Sequence, residues 1–306
     1  MSVLLLSLAA LLLGAVLLYY LAPGVVFQWV TALARRAAGL KLKEVSVDGH
    51  RIAYLDGGRG ETLLLLHGFA ANKDHWAMIA PLLTPHFRVI APDLPGFGDS
   101  SRVADASYGV TAQLERIAAF ARAVGVENFH LGGNSMGGYL ATLYALRYPE
   151  QVQSLWLLAP AGVLSAEYSD MLRMLEGGEN PLIATDMKSF ERLADLCFCK
   201  QPFMPAQFKK PLLARSIIDA PFNARIFEEM FSEPQALEER VAALSARSLV
   251  VWGDDDRILH ASALDILKPL MPTAEFILMR DMGHVPMIER PAETALDFLR
   301  FHGRQA

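Results

Sequence analysis

The chain has 306 residues, a formal net charge of −5 and two cysteines. That length holds one large domain plus an appendage, and an acidic balance without basic clusters argues against nucleic acid as a partner. Cys197 and Cys199 lie too close in sequence for an unstrained bridge, no Cys/His cluster has metal-ligand spacing, and no motif asks for a metal or an organic cofactor.

Residues 3–21 are uncharged and almost entirely apolar, a length that crosses a hydrocarbon core as a helix. Tyr19, Tyr20 and Trp29 suit a membrane–water interface, and Arg35, Arg36, Lys41 and Lys43 follow. Pro23-Gly24 ends or kinks the span, and 25–38 reads as a short helix near the lipid surface. A cleaved signal would carry Lys or Arg ahead of the apolar run, and none stands there. The segment therefore reads as a retained single-pass anchor in the cell (inner) membrane, with its positive charges favouring the cytoplasmic side for the rest of the chain. Only Gly14 and a few alanines offer close helix approach, so a homodimer is possible but no transmembrane dimer motif marks it.

After the anchor, 44–47 and 52–55 read as strands joined by an Asp48-Gly49 turn. The run 62–66 is continuously apolar, as a strand buried on both faces should be. It ends in His67-Gly68-Phe69. A helix is expected over 71–83, a strand over 88–91, then a loop of turn formers from Pro92 to Ser100. A helix follows over 111–124, strands over 129–131, 152–158, 248–252 and 275–279, and helices over 261–270 and 291–301. Strands alternating with helices give an α/β fold, a mostly parallel sheet with helices on both faces. Between Pro160 and Ala246 the alternation stops. This stretch is helical in pattern, broken by prolines such as Pro211 and Pro221, and rich in Met and Phe. Side chains of that kind suit acyl chains. Most are expected to pack the insertion's own core, a few to face the site. The resulting division is 1–40 for the transmembrane and juxtamembrane helix, 41–160 with 246–306 for the core, and 161–245 for a helical lid.

The organising stretch is Gly133-Asn134-Ser135-Met136-Gly137 between an apolar strand and a helical pattern. A serine on such a turn has its hydroxyl pushed out of the backbone, and its neighbours must lack bulk. A hydroxyl is a poor nucleophile unless a base reaches it and a carboxylate fixes that base. On a parallel sheet these groups come from loops at the C-terminal strand ends. Two loops fit: Gly253-Asp254-Asp255-Asp256-Arg257 after one strand, and Asp281-Met282-Gly283-His284 after the next. The order Ser, acid, His is the one this turn is found with.

Together His67-Gly68, Asp93-x-Pro95-Gly96-x-Gly98-x-Ser100, Gly133-x-Ser135-x-Gly137, Trp252-Gly253-x-x-Asp256-Arg257 and Gly283-His284 resemble the α/β-hydrolase family from about Val45 onward. The resemblance implies Ser135 as nucleophile, His284 as base and Asp256, rather than Asp254 or Asp255, as acid. It implies Phe69 and Met136 as backbone donors to the oxyanion, and a structural role for His67. Within the family, His67-Gly68-Phe69-x-Ala71-x-Lys73-Asp74-x-Trp76, Asn134-Ser135-Met136-Gly137-Gly138, Pro160-Ala161-Gly162 and the anchor are similar to membrane-bound monoacylglycerol lipases and anchored bacterial phospholipases of type A. That implies hydrolysis of acyl esters of glycerolipids or lysophospholipids. Removing residues before Leu40 is then expected to free the enzyme from membranes and leave hydrolysis in solution. A rival within the family is the carbon–carbon hydrolase of meta-cleavage products, whose anionic substrates would need a cation from Arg173, Arg192, Arg215 or Arg225. A non-catalytic receptor on the same fold is the rival from another class, and an intact Ser135, Asp256 and His284 speaks against it.

Overall fold

The computed structural model describes residues 2–232 and 234–304. Helix α1 (Ser2–Leu21) leaves its leucines uncovered: Leu4, Leu11 and Leu21 are each more than 70% exposed. Among the described residues, Leu4–Leu21 is the one helical stretch long and apolar enough to cross a membrane. Ala22 interrupts the helix, and α2 (Pro23–Ala37) restarts it with Pro23 in its first turn, where the missing N–H is not needed.

Eight strands form one sheet: β1 (Leu40–Val47), β2 (His50–Gly58), β3 (Thr62–Leu66), β4 (Arg88–Pro92), β5 (Phe129–Asn134), β6 (Val152–Leu158), β7 (Arg247–Gly253) and β8 (Glu275–Met279). Their order across the sheet is β1-β2-β4-β3-β5-β6-β7-β8. The β1–β2 hairpin and the β2–β4 pair are antiparallel, and the rest are parallel. Because side chains alternate along a strand, the apolar run of β3 divides: Leu64 and Leu66 enter the core on one face, Leu63 and Leu65 the core on the other. On the first face lie α4 (Val110–Ala123) and α5 (Met136–Arg147), which contribute Leu114, Ile117, Leu140 and Tyr144. On the second, α11 (Pro291–Phe301) places Phe298 4.3 Å from the Trp156 ring, stacked at 18°.

The helix expected over 71–83 does not form. A 3-10 turn over Lys73–Trp76 and a single short turn, α3 (Ala80–Leu83), stand there instead. The Asn72 side chain accepts from the Asp74 N–H at 2.9 Å and holds a tight turn where a regular helix would start. The expected helix over 261–270 shrinks to α9 (Ala263–Leu267), and a short α10 (Pro286–Glu289) precedes α11. Between β6 and β7 lie α6 (Asp170–Glu176), α7 (Met187–Cys197) and α8 (Ala206–Phe231). Pro211 and Pro221 do not break α8, which runs 26 residues through both. Its packing keeps it continuous despite two missing N–H donors. Phe208 meets Phe27 of α2 with ring centroids 5.5 Å apart, and Pro211 faces Gly24 of α2.

Candidate active site

β5 ends in Asn134, α5 begins at Met136, and the single residue between them makes the turn. Ser135 has φ 57° and ψ −120°, a conformation rare for any residue with a side chain. The strand and helix close tightly around it. A Cβ at Gly133 would stand 2.2 Å from the Gly137 carbonyl oxygen, and one at Gly137 would stand 2.1 Å from that of Leu66. Only glycine fits at either place. The turn is pinned by its backbone: Ser135 N–H donates to Leu158 O at 3.0 Å, and Ser135 O accepts from Tyr139 and Ala161.

The loop after β7 delivers Asp256 to His284. His284 Nδ1 donates to Asp256 Oδ2 at 2.7 Å, and both residues are buried. The other carboxylate oxygen accepts the Ile258 and Leu259 N–H groups at 2.9 and 2.8 Å. Asp254 is turned away and faces Arg280 at 3.3 Å. His284 is fixed at both backbone atoms. Its N–H donates to Cys197 O at the end of α7 (2.8 Å), and its carbonyl accepts from Asn134 Nδ2 (3.0 Å). Asn134 immediately precedes Ser135, so the elbow and the His284 loop are joined side chain to backbone. Among the described residues no hydrogen bond links Ser135 Oγ to His284. Nucleophile–base bonds of this kind are commonly long or misaligned before substrate binds.

The loop after β3 comes in on the other side. Gly68 lies against the elbow, where a Cβ would be 3.4 Å from Ser135 Cβ. The next residue, Phe69, packs its ring on Phe97 and on Phe227 of α8, centroids 5.6 and 5.4 Å away. Among the described residues, neither the Phe69 nor the Met136 N–H has an acceptor within the chain. Two open backbone donors thus flank the elbow, one at the first turn of a helix, where the dipole favours negative charge. His67 fixes the start of this loop. Its Nδ1 donates to Gly68 O at 2.7 Å and its Nε2 accepts Leu94 N–H at 3.0 Å. Complete burial pushes its pKa down to about 4, so the ring is neutral, as this bonding pattern requires.

The Met- and Phe-rich insertion contributes side chains both to a small separate cluster and to the oxyanion loop. Met171 joins Leu196 and Ile258 in a small core of its own, whereas Phe227 and Phe231 reach the Phe69 ring. Two features had gone unread. One is the Asn134–His284 bond, although Asn134 stands inside the elbow motif. The other is a buried ion network around Lys73, for which Lys73-Asp74 and Asp93 in the two loop motifs are the signals.

Sequence comparison gives the family. Residues 61–291 match the alpha/beta hydrolase fold family, and the chain belongs to it. It is 36% identical over 281 residues to Lipase 1 of Psychrobacter immobilis, covering 90% of this chain and 88% of that one. It is 30% identical over 282 residues to a monoacylglycerol lipase of Bos taurus, covering 87% and 84%. Among solved structures it is similar to a membrane phospholipase A described as a bacterial virulence factor, with 44% identity, a TM-score of 0.90 and coverage of 99% and 98%.

Proposed function

We propose that this chain is a membrane-anchored serine hydrolase that cleaves carboxylic esters of glycerolipids or lysophospholipids. The observation that carries this reading is the buried Asp256–His284 pair, joined through Asn134 to the elbow that presents Ser135. The similarity to lipases, a monoacylglycerol lipase and a membrane phospholipase A supports the substrate class.

In this mechanism Ser135 Oγ attacks the ester carbonyl carbon while His284 Nε2 takes its proton. Asp256 accepts the Nδ1–H and stabilises the imidazolium that results. The carbonyl oxygen becomes an oxyanion, received by the N–H groups of Phe69 and Met136; one such donor is worth about 3–4 kcal/mol in other hydrolases. Collapse breaks the C–O bond, and His284 returns the proton to the departing alcohol. Water then attacks the acyl-enzyme by the same proton route and releases the fatty acid. Residues 161–245 act as a lid above the site. The α1 helix anchors the enzyme in the cell membrane, and α2 lies at the lipid surface with Trp29 and Leu33 uncovered, 64% and 67% exposed.

The carbon–carbon hydrolase reading needs a spare cation in the pocket. Each of the four lid arginines is committed elsewhere: Arg173 to Asp170, Arg192 to Glu179, Arg215 to Asp219 and Arg225 to Glu229. The test is fluorophosphonate labelling together with p-nitrophenyl ester turnover. The parent should label and turn over, and Ser135→Ala should do neither. Turnover by Ser135→Ala within about tenfold of the parent would refute the reading.

A further inference from the structure

The loop that offers the Phe69 N–H is strained and braced from outside the core. Ala70, the next residue, has φ 55°, a left-handed conformation unfavourable for alanine. Such a backbone persists only where its surroundings hold it. His67 holds one end. The other end is held at Lys73 and Asp74. The Lys73 side chain is 1% exposed, its Nζ bonds Asp93 Oδ2 and Asp99 Oδ2 at 2.7 Å each, and its backbone N–H donates to Asp93 Oδ1 at 2.7 Å. Burial alone would lower the Lys73 pKa, but the carboxylates of Asp93, Asp99 and Asp74 around it raise it, so it stays charged.

From this centre the ion pairs run outward in two directions. Asp99 faces Arg215 of α8 at 3.8 Å. Asp74 is gripped by Arg35 of α2, whose Nε and Nη2 each donate to one carboxylate oxygen at 2.6 Å. This is the two-pronged geometry that makes Arg–carboxylate pairs directional as well as strong. Both side chains are mostly buried, 16% and 23% exposed, so solvent does little to weaken the bond. Arg35 is itself fixed, because α2 packs on α8 through Phe27 and Phe208 and its end is bonded to the core through Thr84 Oγ1 and Ala38 O.

We propose that Arg35 is a positioning residue for ester hydrolysis: from the juxtamembrane helix, through Asp74, it holds the loop that aims the Phe69 N–H at the oxyanion. The inference rests on the serine-hydrolase reading and on Phe69 as oxyanion donor. It makes α2 part of the working enzyme instead of a passive tether. Loss of the bond should weaken a contact made only in the transition state, which lowers kcat and leaves KM alone.

The experiment uses the full chain in detergent micelles, with p-nitrophenyl butyrate as substrate and fluorophosphonate titration to count working sites. Arg35→Ala is expected to lower kcat per titrated site by about fivefold or more, with KM within about twofold. Asp74→Asn, which weakens the same bond from its other end, should lower kcat per titrated site to a similar degree, again with KM little changed. Arg35→Lys keeps the charge without the fork, and should lose about two- to threefold; it serves if the alanine variant does not fold. A purely structural pair would reduce the number of titrated sites and leave kcat per site unchanged. That result, or an Asp74→Asn variant with the parental kcat per site, overturns the proposal. Ser135→Ala run alongside separates the two failures. If it stays active, the hydrolase reading and this inference fall together; if it is dead while Arg35→Ala turns over at the parental rate per site, the inference alone falls.

Discussion

Asp256 and His284 are held almost entirely by backbone: the Ile258 and Leu259 N–H groups on one carboxylate oxygen, Cys197 O and the Asn134 amide on the histidine main chain. The loop from His67 to Asp74, on the other side of Ser135, is held instead by charged side chains that reach α2 and α8. The first half of the site is closed within the sheet, its loops and the end of α7. The second is connected to α2, which follows the apolar helix α1, and to α8. Backbone bracing fixes a geometry once the fold forms, whereas an ion-pair brace transmits displacement of whatever carries its far end. The acid–base half should therefore be indifferent to how α2 sits, and the oxyanion half should not.

The sharpest way to break this contrast is at its closed half. In Asp256→Asn one oxygen still accepts from Ile258 and Leu259, but the amide NH₂ now faces His284 Nδ1 and selects the wrong tautomer. A kcat loss of about 10⁴-fold with little change in melting temperature is expected, as the analogous substitution causes in serine proteases. Activity within about tenfold of the parent would show that Asp256 does not orient His284. Next comes the wall between the halves. Gly137→Ala drives a methyl to 2.1 Å from the Leu66 carbonyl oxygen, a backbone atom that cannot swing aside. The expected loss is more than about 3 kcal/mol of stability, read from the urea midpoint, at the severe end for overpacking.

How much of this was legible in the sequence follows from the range of the forces involved. The Leu63–Leu66 run announced a strand covered on both faces because burial acts on every residue of it. Gly133 and Gly137 announced the elbow because no other residue survives the contact. The loop after β3 reads as helix in the sequence because its apolar spacing is sound and its real determinants are not local. Asn72 turns the backbone, Asp93 receives the Lys73 N–H, and Arg35 approaches from 39 residues away. The three successive acids at Asp254, Asp255 and Asp256 carry the same chemistry in sequence, and only the loop's path brings the third to His284. The same distance effect changes the expectation for the truncation. Deleting residues before Leu40 removes Arg35 along with α1, so kcat in solution should fall about fivefold instead of remaining intact.

A test by pH addresses the His67 end of the oxyanion loop. The folded protein holds this ring neutral down to about 4, whereas the unfolded chain takes up the proton near the ordinary histidine value of 6.5. Acidification from 6.5 towards 4 therefore favours the unfolded state progressively, and above 6.5 the contribution is constant. For this fully buried ring the total is up to roughly 3 kcal/mol. His75, driven to about 4 chiefly by burial, and His302, driven to about 3 by burial and then by His130, add to the same slope. Urea denaturation at stepped pH should show the stability of the parent falling across that window. His67→Asn should be less stable near neutrality and show a shallower fall. An equal slope in both proteins would remove His67 from the account.

The finest probe of the contrast is Asn134, because among the described residues its amide is the one side chain that ties the closed half to the elbow. Asn134→Ala leaves the buried carbonyls of Leu158 and His284 without this donor, at an expected cost of about 1–3 kcal/mol. The His284 loop keeps its bonds to Cys197 and Asp256, so the pair should survive while its distance from Ser135 loosens, lowering kcat about tenfold. Asn134→Asp should be worse on both counts, since it sets a carboxylate against two carbonyl oxygens. If the alanine variant lost stability but kept its full kcat, the spacing between Ser135 and His284 would have to be set by the strands alone. The Asn134 bond would then serve the fold and not the chemistry.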